Sequence, residues 1–156
     1  MSFDRRDFLK ASAGAAGAVS LGTLAGCATS GGSASAQGPK IVVVGAAGRM
    51  GRVLIRCIQT GAVPDVSLAG AVDLWDSPEL NRDAGVMAGV AEIGIPVSCN
   101  LAAVAPAADV IVDFSSHHGS SGNAPRCAEW GRALVVGTTG LDAGQEQEIR
   151  NAAKAI

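Results

Sequence analysis

Tyrosine is absent from this 156-residue chain, and its other aromatics are three phenylalanines and two tryptophans. Packing therefore falls to Val, Ile, Ala and Gly, a composition suited to a closely packed α/β domain. Basic charge is not in excess: 12 Lys and Arg stand against 14 Asp and Glu, a formal net charge of −2. No basic stripe marks any segment, which excludes the electrostatic footprint that nucleic-acid binding requires first. The four cysteines show no Cys-x-x-Cys spacing, so neither zinc nor a disulfide framework is indicated. Cys57, Cys99 and Cys127 are expected to be small buried hydrophobes. Long apolar runs are missing too: Ala11 to Ala25 is too short and too glycine-rich to span a bilayer. There is no internal repeat.

What stands at the start is a leader. Arg5-Arg6-Asp7-Phe8-Leu9-Lys10 is a twin-arginine pattern, followed by the weakly apolar run and then by Leu24-Ala25-Gly26-Cys27, which has the form of a lipobox. A charged region, a short apolar region and small residues at a cleavage point mark an export signal. Cleavage before Cys27 would leave a lipid-modified cysteine at the new N-terminus. Ala34-Ser35-Ala36 offers a second site, which would leave a soluble product. The lipobox is favoured, because Ala28 to Gly38 then reads as a flexible Ser/Gly/Ala tether. Residues 1–39 are thus expected to be signal and tether, and residues 40–156 a single domain.

The body alternates strands and helices. Lys40 to Gly45 predicts a buried strand, Arg49 to Thr60 a helix with Met50, Val53, Leu54, Cys57 and Ile58 on one face, and Val66 to Asp73 a second strand. Leu74 to Ile95 predicts loop with a short helix, Pro96 to Cys99 a short strand, and Leu101 to Ala105 a short helix stopped before Pro106. Asp109 to Phe114 is a further strand, Ser115 to Gly122 a polar loop, and Asn123 to Trp130 a helix with Pro125 in its first turn. Ala133 to Gly137 is the last strand, and Leu141-Asp142 opens a helix through Lys154. This order predicts a Rossmann-type, doubly wound parallel sheet with right-handed crossovers.

Chemistry concentrates in the turn after the first strand. Gly45, Gly48 and Gly51 make a G-x-x-G-x-x-G turn between a strand and a helix. Gly45 turns the chain, Gly48 lets backbone approach phosphates, and Gly51 lets the helix pack near the sheet. A pyrophosphate would sit on unpaired N–H groups at the positive end of the helix dipole. Asp73 ends the next strand, about 20 residues further on, where a ribose-binding acid is expected. Leu74 follows it, where an arginine would have favoured a 2′-phosphate, although Arg49 could supply such a charge from the loop. The residues lean to NAD, or to use of both NAD and NADP. Phe114 and Ser115 flank the same crevice, and Gly137, Thr138 and Thr139 suit contact with a nicotinamide carboxamide or an anionic substrate. His117-His118 is expected to be an exposed loop pair, Asp113 is given no acid–base role, and no metal site or catalytic residue is assigned.

These residues together resemble the 4-hydroxy-tetrahydrodipicolinate (dihydrodipicolinate) reductase family. The resemblance runs over Lys40 to Ile156 and rests on Val44-Gly-Ala-Ala-Gly-Arg-Met-Gly-Arg52, Asp83-Ala-Gly85, Asp113-Phe-Ser115 and Val136-Gly-Thr-Thr-Gly140. It implies reduction of a cyclic imine-type intermediate on the way to diaminopimelate and lysine, with NADPH or NADH. It also implies cofactor contact by Gly45 to Met50, Asp73 and Gly137 to Thr139, and substrate contact by Thr139. Three departures stand out. The family is cytoplasmic and lacks a leader, Leu74 stands where many members carry an arginine and Ser116 where some carry another, and the second domain with its His-His pair and lysine is not in the chain. The expectation is therefore a cofactor domain that binds NAD(P) without reducing substrate alone, and without the family's oligomer. Two alternatives stay open: an exported Rossmann oxidoreductase fragment like the glucose–fructose oxidoreductase group, and a membrane-tethered nucleotide-binding module anchored at Cys27.

Overall fold

The computed structural model describes residues 38–155. The twin-arginine pair, the lipobox with Cys27 and the tether through residue 37 lie outside the described residues. Five strands form one sheet: β1 (Lys40–Val44), β2 (Ser67–Val72), β3 (Val97–Ser98), β4 (Val110–Asp113) and β5 (Ala133–Val136). Their order is β3-β2-β1-β4-β5 and every pairing is parallel. Central β1 alternates its side chains between two cores, as the pleat requires. Val43 packs with Ile55, Leu68, Met87 and Val97 on one face. Val42 and Val44 pack with Val72, Leu101, Ile111 and Cys127 on the other. Helices α1 (Arg49–Gln59) and α2 (Ala84–Ala88) cover the first face, and α3 (Leu101–Val104) and α4 (His117–Glu129) the second. The last helix, α5 (Ala143–Ala152), lies against α4. This is the doubly wound arrangement expected from the order of elements. Among the described residues no helix is long and apolar enough to cross a membrane.

Four details differ from the expectations. The polar stretch from Ser115 to Gly122 is not a loop. Ser116 caps α4, accepting from the Gly119 N–H, and the helix starts at His117, so the histidine pair opens a helix. Pro125 consequently lies inside α4 rather than in its first turn. The buried side of α4 is made of Ser120, Ser121, Ala124 and Cys127, small residues at helical spacing that let it sit close to the sheet. The buried face of α1 is also rotated: Gly51 and Ile55 enter the core, whereas Met50 and Val53 are exposed. Of the three body cysteines only Cys127 is buried, with Cys57 half-buried and Cys99 exposed. Finally, α3 ends at Val104, before Pro106 as expected, but a 3₁₀ turn over Ala105–Ala107 follows it, a turn that tolerates proline near its start.

Candidate functional site

The carboxyl ends of β1, β2 and β4 meet where the strand order reverses, the place where such sheets open a crevice. The glycine turn is held there by backbone. The Gly45 and Ala46 N–H groups both donate to the Val72 carbonyl, at 2.9 and 3.0 Å, so the end of β2 fixes the turn leaving β1. Gly45 has φ +76°, and a Cβ on it would strike the Phe114 carbonyl. At Gly51 a Cβ would run into the Gly45 carbonyl and the Ala46 backbone. Both positions therefore require glycine, one for its conformation and one for the closeness of α1 to the turn.

Helix α1 begins without a cap. Gly48 is its N-cap residue and offers no side chain, and the first turn holds no acid. By contrast, α2, α3, α4 and α5 are capped by Asp83, Asn100, Ser116 and Asp142. Unpartnered N–H groups at the positive end of an 11-residue helix are what a bound phosphate would satisfy. Beside them, Asp73 accepts from the Ala47 N–H through Oδ2 at 2.5 Å and from the Leu74 N–H through Oδ1 at 2.8 Å. A carboxylate has about four acceptor sites, so two remain for hydroxyl donors. Arg52 holds the same loop from the other side. Its Nε donates to the Ala47 carbonyl, its Nη1 to the Met87 carbonyl, and its Nη2 to Glu79. Ala47 is thus gripped at both its N–H and its C=O.

A cleft of about 500 Å³ opens next to this turn. Among the residues predicted from the sequence, Gly45, Gly48, Asp73, Phe114 and Ser115 line it. Ala46 is fully buried in the core beneath, and Met50 is exposed on α1 away from the cleft lining, as is Arg49. Gly137, Thr138 and Thr139 also lie off the cleft. The Gly137 N–H donates to the Asp113 carbonyl, the Phe114 ring lies over Gly137, and Thr138 Oγ1 accepts from the Ser120 hydroxyl at 2.7 Å. Thr139 is exposed. The cleft also takes in Trp75, Asn100, Leu101, Asn123 and Arg126, from the β2–α2 loop, the start of α3 and the body of α4. Sequence reading missed these because spacing to the glycine turn carries no signal for them; only the packing of the crossover helices brings them in.

Two buried or partly buried acids shape the surroundings without facing a ligand. Asp113 is fully buried and accepts from the Ser115 N–H, the Ser115 hydroxyl and Asn123 Nδ2, at 2.8, 2.6 and 2.9 Å. It therefore builds the β4–α4 turn that presents Phe114 and Ser115. Asp83 accepts from the N–H groups of Gly85, Val86, Ile93, Gly94 and Ile95. Burial alone would raise its pKa, but these backbone donors together hold it below the ordinary aspartate value. The Asp83-Ala-Gly85 motif is thus a clasp for the loop returning to β3. Burial, with a smaller contribution from the Asp113 charge, pushes the Cys127 thiol up to about 11. His118 Nδ1 lies 3.2 Å from Gln145 Nε2, linking α4 to α5. Among the described residues no group of three or more His, Cys, Asp or Glu is placed to hold a metal ion.

Comparison with known proteins places this geometry. Residues 39–156 match the family model described as dihydrodipicolinate reductase, N-terminus. Residues 2–22 match the twin-arginine translocation pathway signal sequence, so the leader carries an export signal of that type. Curated relatives include the 4-hydroxy-tetrahydrodipicolinate reductases of Anaeromyxobacter dehalogenans (strain 2CP-C) and Pseudomonas fluorescens (strain Pf0-1). Each is 42% identical over 117 residues, covering 75% of this chain and 43% of the relative. The chain therefore spans less than half the length of these relatives. Among solved structures, dipicolinate-bound dihydrodipicolinate reductase from Paenisporosarcina sp. TG-14 shares the fold at a TM-score of 0.58 and 21% identity. That match covers 74% of this chain and 43% of the other. The WlbA dehydrogenase from Bordetella pertussis, in complex with NADH and UDP-GlcNAcA, shares it at 0.56 and 20% identity, covering 76% and 35%. Since the family model takes in the whole described body, this chain belongs to the dihydrodipicolinate reductase family and represents its N-terminal part.

Proposed function

We propose that the chain is the NAD(P)H-binding domain of a 4-hydroxy-tetrahydrodipicolinate reductase. The observation that carries this reading is the uncapped start of α1, set beside Asp73 at the mouth of the cleft. A dinucleotide would place its pyrophosphate on the free N–H groups of Arg49 and Met50, and its adenosine ribose on the two remaining acceptor sites of Asp73. The cofactor supplies hydride when bound; this chain's residues bind and orient it. Gly137, Thr138 and Thr139 are assigned to the nicotinamide end, and Thr139 also to the substrate.

Reduction needs substrate held against the nicotinamide and a proton donor. No residue on the cleft is assigned either task, so the chain is expected to bind cofactor without turnover. Titration of the 156-residue protein with NADH and with NADPH, followed by nicotinamide fluorescence, tests the reading. Binding of neither would overturn it, and substantial reduction of substrate by this chain alone would overturn the expected lack of turnover. A preference for NADH, or use of both cofactors, is expected, because Leu74 and Trp75 rather than cations follow Asp73. Tighter binding of NADPH would reverse that lean. Lipid attachment at Cys27 is proposed from the lipobox; the mass of the mature N-terminal peptide checks it.

A further inference from the structure

The loop that leaves Asp73 folds back onto the glycine turn. Leu74 and Trp75 line the cleft. Beyond them the Ser77 N–H donates to the Leu74 carbonyl and the Leu80 N–H to the Ser77 carbonyl, so the loop runs as successive tight turns. These turns bring Glu79 against α1. Its Oε1 accepts from Arg52 Nη2 at 2.9 Å, and its Oε2 accepts from Arg82 Nη1 at 2.8 Å. The Arg52 side chain is 34% exposed and that of Arg82 52%, so the inner pair is the better shielded of the two. Nε and Nη1 of the same Arg52 guanidinium hold the Ala47 and Met87 carbonyls. The Ala47 carbonyl shares a peptide unit with the Gly48 N–H, which donates to the Gly45 carbonyl at 3.1 Å. The peptide before it is held by Asp73 through the Ala47 N–H. A closed ring results, running from Asp73 to Ala47, Arg52 and Glu79 and back along the loop. One turn further along α1, Arg56 grips the Ala88 carbonyl with Nε and Nη2 and has no carboxylate partner among the described residues. Packing α1 on α2 therefore does not require one.

Resting on the cofactor reading above, we infer that Glu79 is a positioning residue for the cofactor turn: it orients the Arg52 guanidinium, which fixes the Ala47–Gly48 peptide leading into α1. A guanidinium carries its donors in one rigid plane, so a carboxylate that holds Nη2 also sets the direction of Nε and Nη1. Arg82 on the far oxygen keeps the carboxylate from turning. The Arg52 hydrogen bond is also the main reason the Glu79 carboxyl lies below its ordinary value, so the clamp is charged at neutral pH. Without Glu79 the guanidinium is free to rotate about its long stem. The Ala47 carbonyl then loses its partner, and the Ala47 N–H is no longer fixed against Asp73. The uncapped start of α1 and the Asp73 carboxylate would cease to match the two ends of one ligand fragment.

Fluorescence titration of the 156-residue protein and its variants with NADH tests this. Glu79→Gln is expected to weaken binding about fivefold and Glu79→Ala about tenfold. Arg82→Ala, which breaks only the outer pair, should stay within about twofold. Arg52→Met should itself weaken binding, and adding Glu79→Ala to it should cost less than about a further twofold, since both act through one guanidinium. In the unliganded, ¹⁵N-labelled protein the Ala47 and Gly48 amide resonances should move in Glu79→Gln. A merely structural role would lower the melting temperature and leave those two resonances in place. Thermal melts identify the folded variants, and Glu79→Gln, which keeps the size of the side chain, carries the test if Glu79→Ala does not fold. Unchanged NADH affinity in the folded Glu79 variants would overturn the inference, as would additive losses in the Arg52–Glu79 cycle. Failure of the unsubstituted chain to bind NADH would instead remove the cofactor reading, and the Ala47 and Gly48 resonances would still decide whether Glu79 sets the turn.

Discussion

At Gly51 a single methyl group meets backbone rather than a yielding side chain. Gly51→Ala should therefore cost about 1–3 kcal/mol of stability and displace the turn that faces the cleft, abolishing NADH binding. A denaturant titration paired with a binding titration checks both. Asp83 leads to a pH prediction. Its carboxyl is held below the ordinary value of about 3.9, so its contribution is complete above that value and is lost as pH falls through the lowered one. Melts between pH 6 and 2 should show the loss concentrated below about pH 4, and Asp83→Asn, which cannot ionise, should flatten that limb. The cysteines divide as their surroundings dictate. Cys99 is exposed, whereas Cys127 is buried with its thiol pushed up to about 11. Iodoacetamide at pH 8 should label Cys99 readily and spare Cys127 until the chain unfolds, as peptide mass spectrometry would show. The same contrast measures what single residues disclose. Gly45, Gly51 and Asp73 were legible because their jobs depend on neighbours in sequence and on one strand–turn–helix unit. Trp75 and Arg126 were not, because the cleft joins them only after α3 and α4 pack.

Elements were legible where apolar periodicity is strong and obscure where packing uses small polar residues. Four of the strands and α1 follow from apolar runs rich in Val, Ile, Leu and Ala, and the short β3 from Val97 beside Pro96. The first half of α4 reads as a loop, since Ser, His, Gly and Asn have poor helix propensity. What overrides propensity is burial of Ser120 and Ser121 against the sheet, together with the Ser116 cap. Ser116→Ala should cost about 1 kcal/mol, measurable as a lower melting temperature. Pro125 lies inside that helix and lacks the N–H that would donate to Ser121, a vacancy that costs helices stability. Pro125→Ala should therefore raise the melting temperature, provided the gain in helix bonding exceeds the entropy returned to the unfolded chain. The face of α1 was misjudged for a different reason. Its apolar stripe is wider than the sheet contact, and glycine at position 51 turns the narrow side inward, leaving Met50 and Val53 outside.

At the scale of the molecule, the two faces of the sheet are not equally covered. Over β1 and β4, on the side of α1, an apolar groove of about 190 Å³ runs between Ile41, Val43, Leu54, Ile58 and Val112. On β5, which pairs only with β4 among the described residues, Val135 is 51% exposed. An apolar surface of this kind beside an open strand edge favours self-association. Sedimentation of the chain should thus depend on concentration, and Val135→Lys should reduce that dependence. A separate consequence follows from the ladder directions. Every strand pair is parallel and separated in sequence by a crossover, so among the described residues no strand hairpin exists to close early. Even the pairing of β1 with β2 must close a loop that contains all of α1, and β1 with β4 a longer one, and loop-closure entropy makes such encounters slow. A twin-arginine leader emerges from the ribosome before any of it can happen. The interval between synthesis and a finished sheet is therefore a period in which the signal is complete and its cargo is not.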